Sequence, residues 1–211
     1  MDNRGILIVV SGFSGAGKGT LMKELLRRHP DTYALSISAT TRSPREGEVD
    51  GREYFFISTE EFEKMIAKDG LIEYARYVEN YYGTPRGYVE EKLGQGKDVI
   101  LEIEIQGALK VKKAFPDTLL LFVTPPSASE LKSRLVERGT ETMDVIRSRM
   151  DRACEEAQGM ENYDYLIVND DLDTCVEEMH SIIRAEHRKI SRNAEFMEKI
   201  KEDLISLKGE D

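Results

Sequence analysis

The 211-residue chain has no tryptophan, two cysteines, three histidines and six prolines. Two cysteines, Cys154 and Cys175, are too few for a disulfide scaffold or a cysteine-based zinc site. Both fall on predicted helices and are read as free, buried thiols. The histidines, His29, His180 and His187, also fall on predicted helices, in no ligand-like spacing, and are assigned surface roles. Long apolar runs are missing too. Runs such as Ile6 to Val10 are strand-sized and far short of the roughly 20 residues of a membrane helix. The opening residues, Met1 to Gly5, run straight into that strand. They leave no room for a signal peptide, so the chain is read as cytoplasmic with no membrane partner. Basic charge is in short supply: 30 Lys and Arg stand against 40 Asp and Glu, a formal charge of −10. Such an excess disfavours nucleic acid and anionic lipid as partners, though it leaves room for a local basic pocket.

What is present is a globular composition, 40% hydrophobic and 33% charged, enough for a real core. Gly5 to Val10 is a continuous apolar run rich in β-branched residues, as in a strand buried on both faces of a parallel sheet. Further strands are expected at Asp98–Ile105, Leu119–Val123 and Tyr165–Val168. Helices are expected at Gly17–Arg28, Gln106–Ala114, Ala128–Glu137, Met143–Gly159 and from Leu172 onward. The alternation specifies an α/β fold with a parallel sheet flanked by helices. From Ser36 to about Tyr88 the rhythm breaks into a tyrosine-rich stretch, with short strands at Tyr54–Ile57 and Leu71–Val78 around a helix at Thr59–Lys68. This reads as an inserted lobe, residues 36–89, between core segments 1–35 and 90–211. The charged C-terminal helix is expected to serve packing or self-association, which leaves a homo-oligomer open.

Gly12-Phe13-Ser14-Gly15-Ala16-Gly17-Lys18 fits G-x-x-x-x-G-K between an apolar strand and a helix. In that context glycines let backbone N–H groups curl around a phosphate. The helix N-terminus adds partial positive charge, and Lys18 adds a full charge near the β- and γ-phosphates of a nucleotide such as ATP. Gly19 stands where this motif usually has a hydroxyl for Mg²⁺. Either Thr20 or water fills that role, or the nucleotide itself holds the metal.

In the inserted stretch, Ser38-Ala39-Thr40-Thr41-Arg42-Ser43-Pro44-Arg45 places two guanidiniums three residues apart. Pro44 keeps the segment out of helix, so both can converge on one dianion. Further on come Gly47-Glu48-Val49-Asp50-Gly51-Arg52-Glu53-Tyr54, then Glu73, then a turn at Asn80-Tyr81-Tyr82-Gly83, followed by Thr84 and Pro85. Tyrosine hydroxyls are rigid neutral donors suited to phosphate oxygens. Arg138 and Arg149 flank a Gly-Thr-Glu segment, whereas Arg134, Arg147 and Arg152 read as helix-surface residues.

Taken in order, these pieces resemble the guanylate kinase family over about Gly5 to Arg184. So do Leu101-Glu102-Ile103-Glu104-Ile105-Gln106-Gly107, Arg138-Gly139-Thr140-Glu141 and Val168-Asn169-Asp170-Asp171. The resemblance implies a P-loop kinase fold with an inserted GMP-binding lobe and a short helical lid at about 138–150. It implies ATP-dependent phosphorylation of GMP to GDP with Mg²⁺. Gly12 to Thr20, including Gly19, would bind ATP. Arg42, Arg45, Tyr54 and Tyr82 would hold the GMP phosphate, and Ser38, Glu73, Thr84 and Glu104 would line the guanine site. Lys18, Arg42, Arg138 and Arg149 would act on the transferring group, and Glu102 would act on Mg²⁺ through water. Glu104 stands where the family often has Asp, and Thr84 where some members have Ser. A carboxylate suits guanine on physical grounds as well. Guanine's Watson–Crick edge presents adjacent N1–H and N2–H₂ donors, and an ionised carboxylate presents two adjacent acceptors. Two rivals stay in view: a non-catalytic module of related fold, against which the intact Gly17-Lys18 argues, and a P-loop kinase with another acceptor.

Overall fold

The computed structural model describes residues 4–137 and 142–208. Its core is a five-stranded parallel sheet: β1 (Leu7–Gly12), β2 (Tyr33–Leu35), β7 (Asp98–Glu102), β8 (Leu119–Thr124) and β9 (Tyr165–Val168), in the order β2-β7-β1-β8-β9. The run of apolar residues in β1 is explained by its place at the centre. Ile8 and Val10 face a cluster built with Leu21, Met22 and Leu25 of α1 (Lys18–Arg28) and Val176, Met179 and Ile183 of α7 (Leu172–Glu186). Leu7 and Val9 face the opposite cluster, with Val89 and Leu93 of α3 (Arg86–Gly94) and Ala108 and Val111 of α4 (Ile105–Ala114). Successive strand residues point to opposite faces, so a strand covered on both sides must be apolar throughout. Each fully buried aliphatic side chain of this kind contributes about 1.5–3 kcal/mol.

The second lobe is a four-stranded mixed sheet of β3 (Ala39–Thr40), β4 (Phe55–Phe56), β5 (Leu71–Tyr77) and β6 (Asn80–Pro85), in the order β4-β3-β6-β5. Its small core gathers Ala39, Phe62 and Leu71, with Phe62 stacked on Tyr81 at 5.1 Å. Phe62 comes from α2 (Thr59–Ala67), which opens with a capping box: Ser58 accepts from the Glu61 N–H while Glu61 accepts from the Ser58 N–H. After β8 follow α5 (Ala128–Glu137) and α6 (Met143–Ala157), and the chain closes with α8 (Ala194–Lys208).

Several boundaries differ from expectation. The strand expected to reach Ile105 stops at Glu102, and α4 starts at Ile105. The alternation of Glu102, Ile103, Glu104 and Ile105 imitates a strand across a strand-to-helix corner. Asn80–Gly83 is strand rather than turn; the chain reverses one step earlier, where Val78 adopts φ 54°. The histidines are not surface ornaments. His29 and His180 stack at 3.9 Å, Tyr33 Oη meets His180 Nδ1 at 2.7 Å, and His187 Nε2 pairs with buried Asp98 at 2.9 Å. Both cysteines are free, but Cys154 is exposed and only Cys175 is buried. Helix α8 buries none of its residues, so packing does not account for its apolar positions. Among the described residues no helix is long and apolar enough to cross a membrane.

Candidate active site

The centre of the molecule's chemistry is the carboxyl end of β1, where open α/β sheets bind ligands. The chain turns there through Gly12-Phe13-Ser14-Gly15-Ala16-Gly17 into α1. Two of these glycines are dictated by space and dihedral. A Cβ on Gly12 would stand 2.1 Å from the Val123 carbonyl oxygen, and Gly17 has φ 88° with Asn169 Nδ2 2.4 Å from where a Cβ would be. Phe13 and Ala16 turn their side chains into the core, Phe13 edge-on to Phe122 at 5.1 Å, so they offer the loop backbone alone. Gly17 provides no side-chain cap to α1, and the first turn carries no acid. Its leading N–H groups therefore face the loop's hollow with the helix's positive end. Lys18 Nζ lies back on the loop, donating to the Gly12 and Phe13 carbonyls at 2.7 and 3.2 Å.

Around this loop the structure collects other expected residues. Arg149 on α6 donates from Nη1 to Ser14 Oγ. Lys18, Gly19, exposed Thr20 and exposed Glu102 line one hollow beside the loop. A second hollow of about 430 Å³ is lined by Ser11, Ser14, Lys18, Glu102, Glu104, Arg149, Arg152 and Glu156. Arg138 falls outside the described residues, as do Gly139, Thr140 and Glu141.

The second lobe assembles two further groups. In the first, Arg42 pairs with Glu48 through both Nη atoms, at 2.9 and 3.0 Å, and lies 5.4 Å from the Tyr54 ring centroid. Tyr54 meets Tyr82 edge to face at 6.0 Å, which brings Tyr82 into the same cluster as Arg42. Register makes this possible, because Thr40 on β3 pairs with Tyr82 on β6. Arg42 and the Arg45 N–H together hold Glu48 below the usual carboxylate range. Arg45 itself is exposed at the rim.

In the second group, Thr84 Oγ1 donates to Glu73 Oε1 at 2.8 Å. Burial pushes Glu73 above its ordinary range, against the Thr84 bond and the charge of Lys110. Glu73 Oε2 lies at the first turn of α4, 3.6 Å from where a Cβ on Gly107 would sit. Ser38 sits at the start of β3, where its carbonyl accepts from Phe55. Glu104, at the N-cap of the same α4, lines the hollow beside the loop and is bound to Arg152.

Of the three arginines expected on the helix surface, one lies in the site and one is tied to the chain beside it. Arg152 lines the hollow, and Arg134 Nη1 donates to the Asn169 carbonyl at 2.9 Å while its Nε donates to Glu130. Arg147 is exposed, as expected. Asn169, to which the sequence pattern assigns no role, is buried and donates from Nδ2 to the Ala16 carbonyl at 2.8 Å. Glu48 also had no assigned role. Its place in the Gly47-Glu48 pair ahead of Tyr54, near Arg42, was the available signal.

A phosphate loop at the end of a central parallel strand, facing a smaller lobe with its own arginine–tyrosine cluster, defines a P-loop phosphotransferase with a separate acceptor lobe. The family described as guanylate kinase matches residues 4–186. A guanylate kinase of Bacillus anthracis is 53% identical over 203 residues, covering 96% of this chain and 99% of that protein. One from Bacillus subtilis (strain 168) is 52% identical over 202 residues, with the same coverage. The crystal structure of guanylate kinase from Anaplasma phagocytophilum superposes with a TM-score of 0.70 at 30% identity, covering 91% of each chain. The chain belongs to the guanylate kinase family, whose activity is the ATP-dependent phosphorylation of GMP to GDP.

Proposed function

We propose that this activity is divided between the two lobes as follows. The loop Gly12–Thr20 takes the phosphates of ATP on its backbone N–H groups, and Lys18 leaves its carbonyl partners for them. Arg42, Arg45, Tyr54 and Tyr82 take the phosphate of GMP. Glu73 and Glu104 accept from the guanine edge, with Ser38 and Thr84 orienting that pocket. The acceptor needs no general base, because its phosphate is already an anion. The work left to the protein is to align two anions and stabilise shifting charge, which falls to Lys18, Arg42, Arg138 and Arg149. The observation that carries this reading is the Glu73–Thr84 pair, set in the same lobe as the Arg42–Tyr54–Tyr82 cluster. One lobe thus presents a base acceptor and a phosphate site together.

The donor set beside the loop fits Mg²⁺. Thr20 and Glu102 place a hydroxyl and a carboxylate at the hollow they share with Lys18, and Mg²⁺ takes oxygen ligands while keeping several waters. Among the described residues no cluster of three His, Cys, Asp or Glu side chains could hold a metal ion. When bound, the ion would neutralise charge between the β- and γ-phosphates.

A coupled assay with ATP and a panel of acceptors tests the division. GMP is the preferred acceptor, dGMP is weaker, and AMP is essentially unused, since adenine N1 would oppose a carboxylate lone pair. Sites matched in this polar way reject analogues by factors on the order of 10⁴. Comparable turnover of AMP and GMP would overturn the reading.

A further inference from the structure

We infer that Arg152 is a positioning residue for GMP, holding Glu104 at the angle from which its carboxylate meets the guanine base. The inference rests on the assignment of Glu104 to the guanine site. Arg149, Arg152 and Glu156 are spaced by three and four residues on α6, so they share one face, and that face lines the hollow with Lys18. Arg149 reaches the donor loop at Ser14. Arg152 reaches the other way: its Nη2 lies 2.5 Å from Glu104 Oε1, and its Nε donates to Glu156 Oε1 at 3.2 Å. The guanidinium is therefore fixed from behind by Glu156 and in front by Glu104.

Glu104 occupies the N-cap position of α4 and makes no capping bond. Its chain is too long to fold back on the helix as Asp would. That extra length carries the carboxylate across the cleft to Arg152. The Glu104 side chain is 72% exposed, and its ion pair with Arg152 is the restraint that fixes its direction. Arg152 engages Oε1, which leaves Oε2 for a base donor. An exposed pair of this kind adds little to folding stability. Its effect lies in reducing the conformations the carboxylate samples before GMP arrives.

The test is a double-mutant cycle on GMP kinetics. Arg152→Ala raises the KM for GMP by roughly threefold to tenfold, within the range of coupling between contacting residues. The KM for ATP and kcat change less. Glu104→Gln raises the GMP KM by itself, and adding Arg152→Ala to it costs nothing further. Arg152→Lys recovers part of the loss, since it keeps the charge without the fork. If Glu104→Gln raises the GMP KM and Arg152→Ala does not, the inference fails while the guanine assignment stands. If Glu104→Gln leaves the GMP KM alone, both fail. Strictly additive losses in the double variant would also overturn it. So would a fall in kcat at unchanged GMP KM, which would place Arg152 on the transferring phosphate instead.

Discussion

The hydroxyl of Thr84 donates to Glu73 Oε1 across 2.8 Å, joining neighbouring strands β6 and β5 at a carboxylate that burial pushes above its ordinary range. The raised value has a definite sign for stability. Between the unfolded value and the higher folded one, the folded chain binds the extra proton, so stability falls as pH rises through that window. At neutral pH the folded protein carries the full cost of a desolvated charge. Glu73→Gln keeps an acceptor for Thr84 and removes that charge. The variant is expected to melt at a higher temperature than wild type at pH 7, with the gap closing as pH drops to the ordinary carboxylate range. Its GMP turnover collapses, because an amide cannot offer two acceptors to two donors. Melting curves across pH beside GMP kinetics check both halves, and a Glu73→Gln protein less stable than wild type at pH 7 contradicts the argument.

Asn169 clamps the donor loop through its side-chain amide. Its buried Nδ2 donates to the Ala16 carbonyl, and its own carbonyl accepts from Arg134. Asn169→Leu keeps the volume and leaves the Ala16 oxygen without that donor, a loss of about 1–3 kcal/mol for a buried group. The expected outcome is a lower melting temperature with a raised KM for ATP and a GMP KM that moves less. An unchanged ATP KM would show that the loop holds its shape without the clamp.

How much of this was legible in the sequence follows from how local each feature is. The donor loop is contiguous, and its glycines answer to one backbone path, so it could be read directly. The Glu48 partner of Arg42 lies six residues away, but in the local pattern it looks like any acid of a solvated loop. The Arg42–Tyr54–Tyr82 cluster depends on a register between β3 and β6, some 40 residues apart in sequence, which no local pattern encodes. Arg152 illustrates the same limit on a helix. Periodicity places it on the face of Arg149 and Glu156, but only the docking of α6 decides that this face borders the cleft rather than solvent. The corner at Glu102 to Ile105 was misread because its alternation is that of a strand, and the hydrogen bonding that ends β7 comes from neighbours elsewhere in the chain.

Lys18 separates chemistry from folding. Its ammonium binds the loop's own carbonyls at the protein surface, and it opens no core when removed. Lys18→Ala should therefore melt like wild type while transferring almost no phosphate. Retention of most of the activity would remove the loop from the mechanism.

Acceptor and donor contacts are expected to differ in which kinetic constant they govern. The GMP phosphate is fully charged before reaction, so groups that hold it stabilise ground state and transition state alike, and their loss appears in KM. Arg45 at the rim and Tyr82 beside Arg42 are such groups in the proposed division. Arg149 faces the donor loop through Ser14, where charge shifts as the bond to the γ-phosphate breaks, so its loss appears in kcat. Removing one charged hydrogen bond from a phosphate site costs roughly 1.5–3 kcal/mol, or about 10- to 150-fold. Arg45→Ala is expected to raise the GMP KM within that range and leave the ATP KM alone. Tyr82→Phe lies at the low end, since its hydroxyl is neutral. Arg149→Ala lowers kcat by a comparable factor with little change in the GMP KM. Steady-state kinetics with each substrate varied in turn decide the matter. An Arg45→Ala enzyme whose ATP KM rises while its GMP KM holds would mean that the second lobe is not the acceptor side of the molecule.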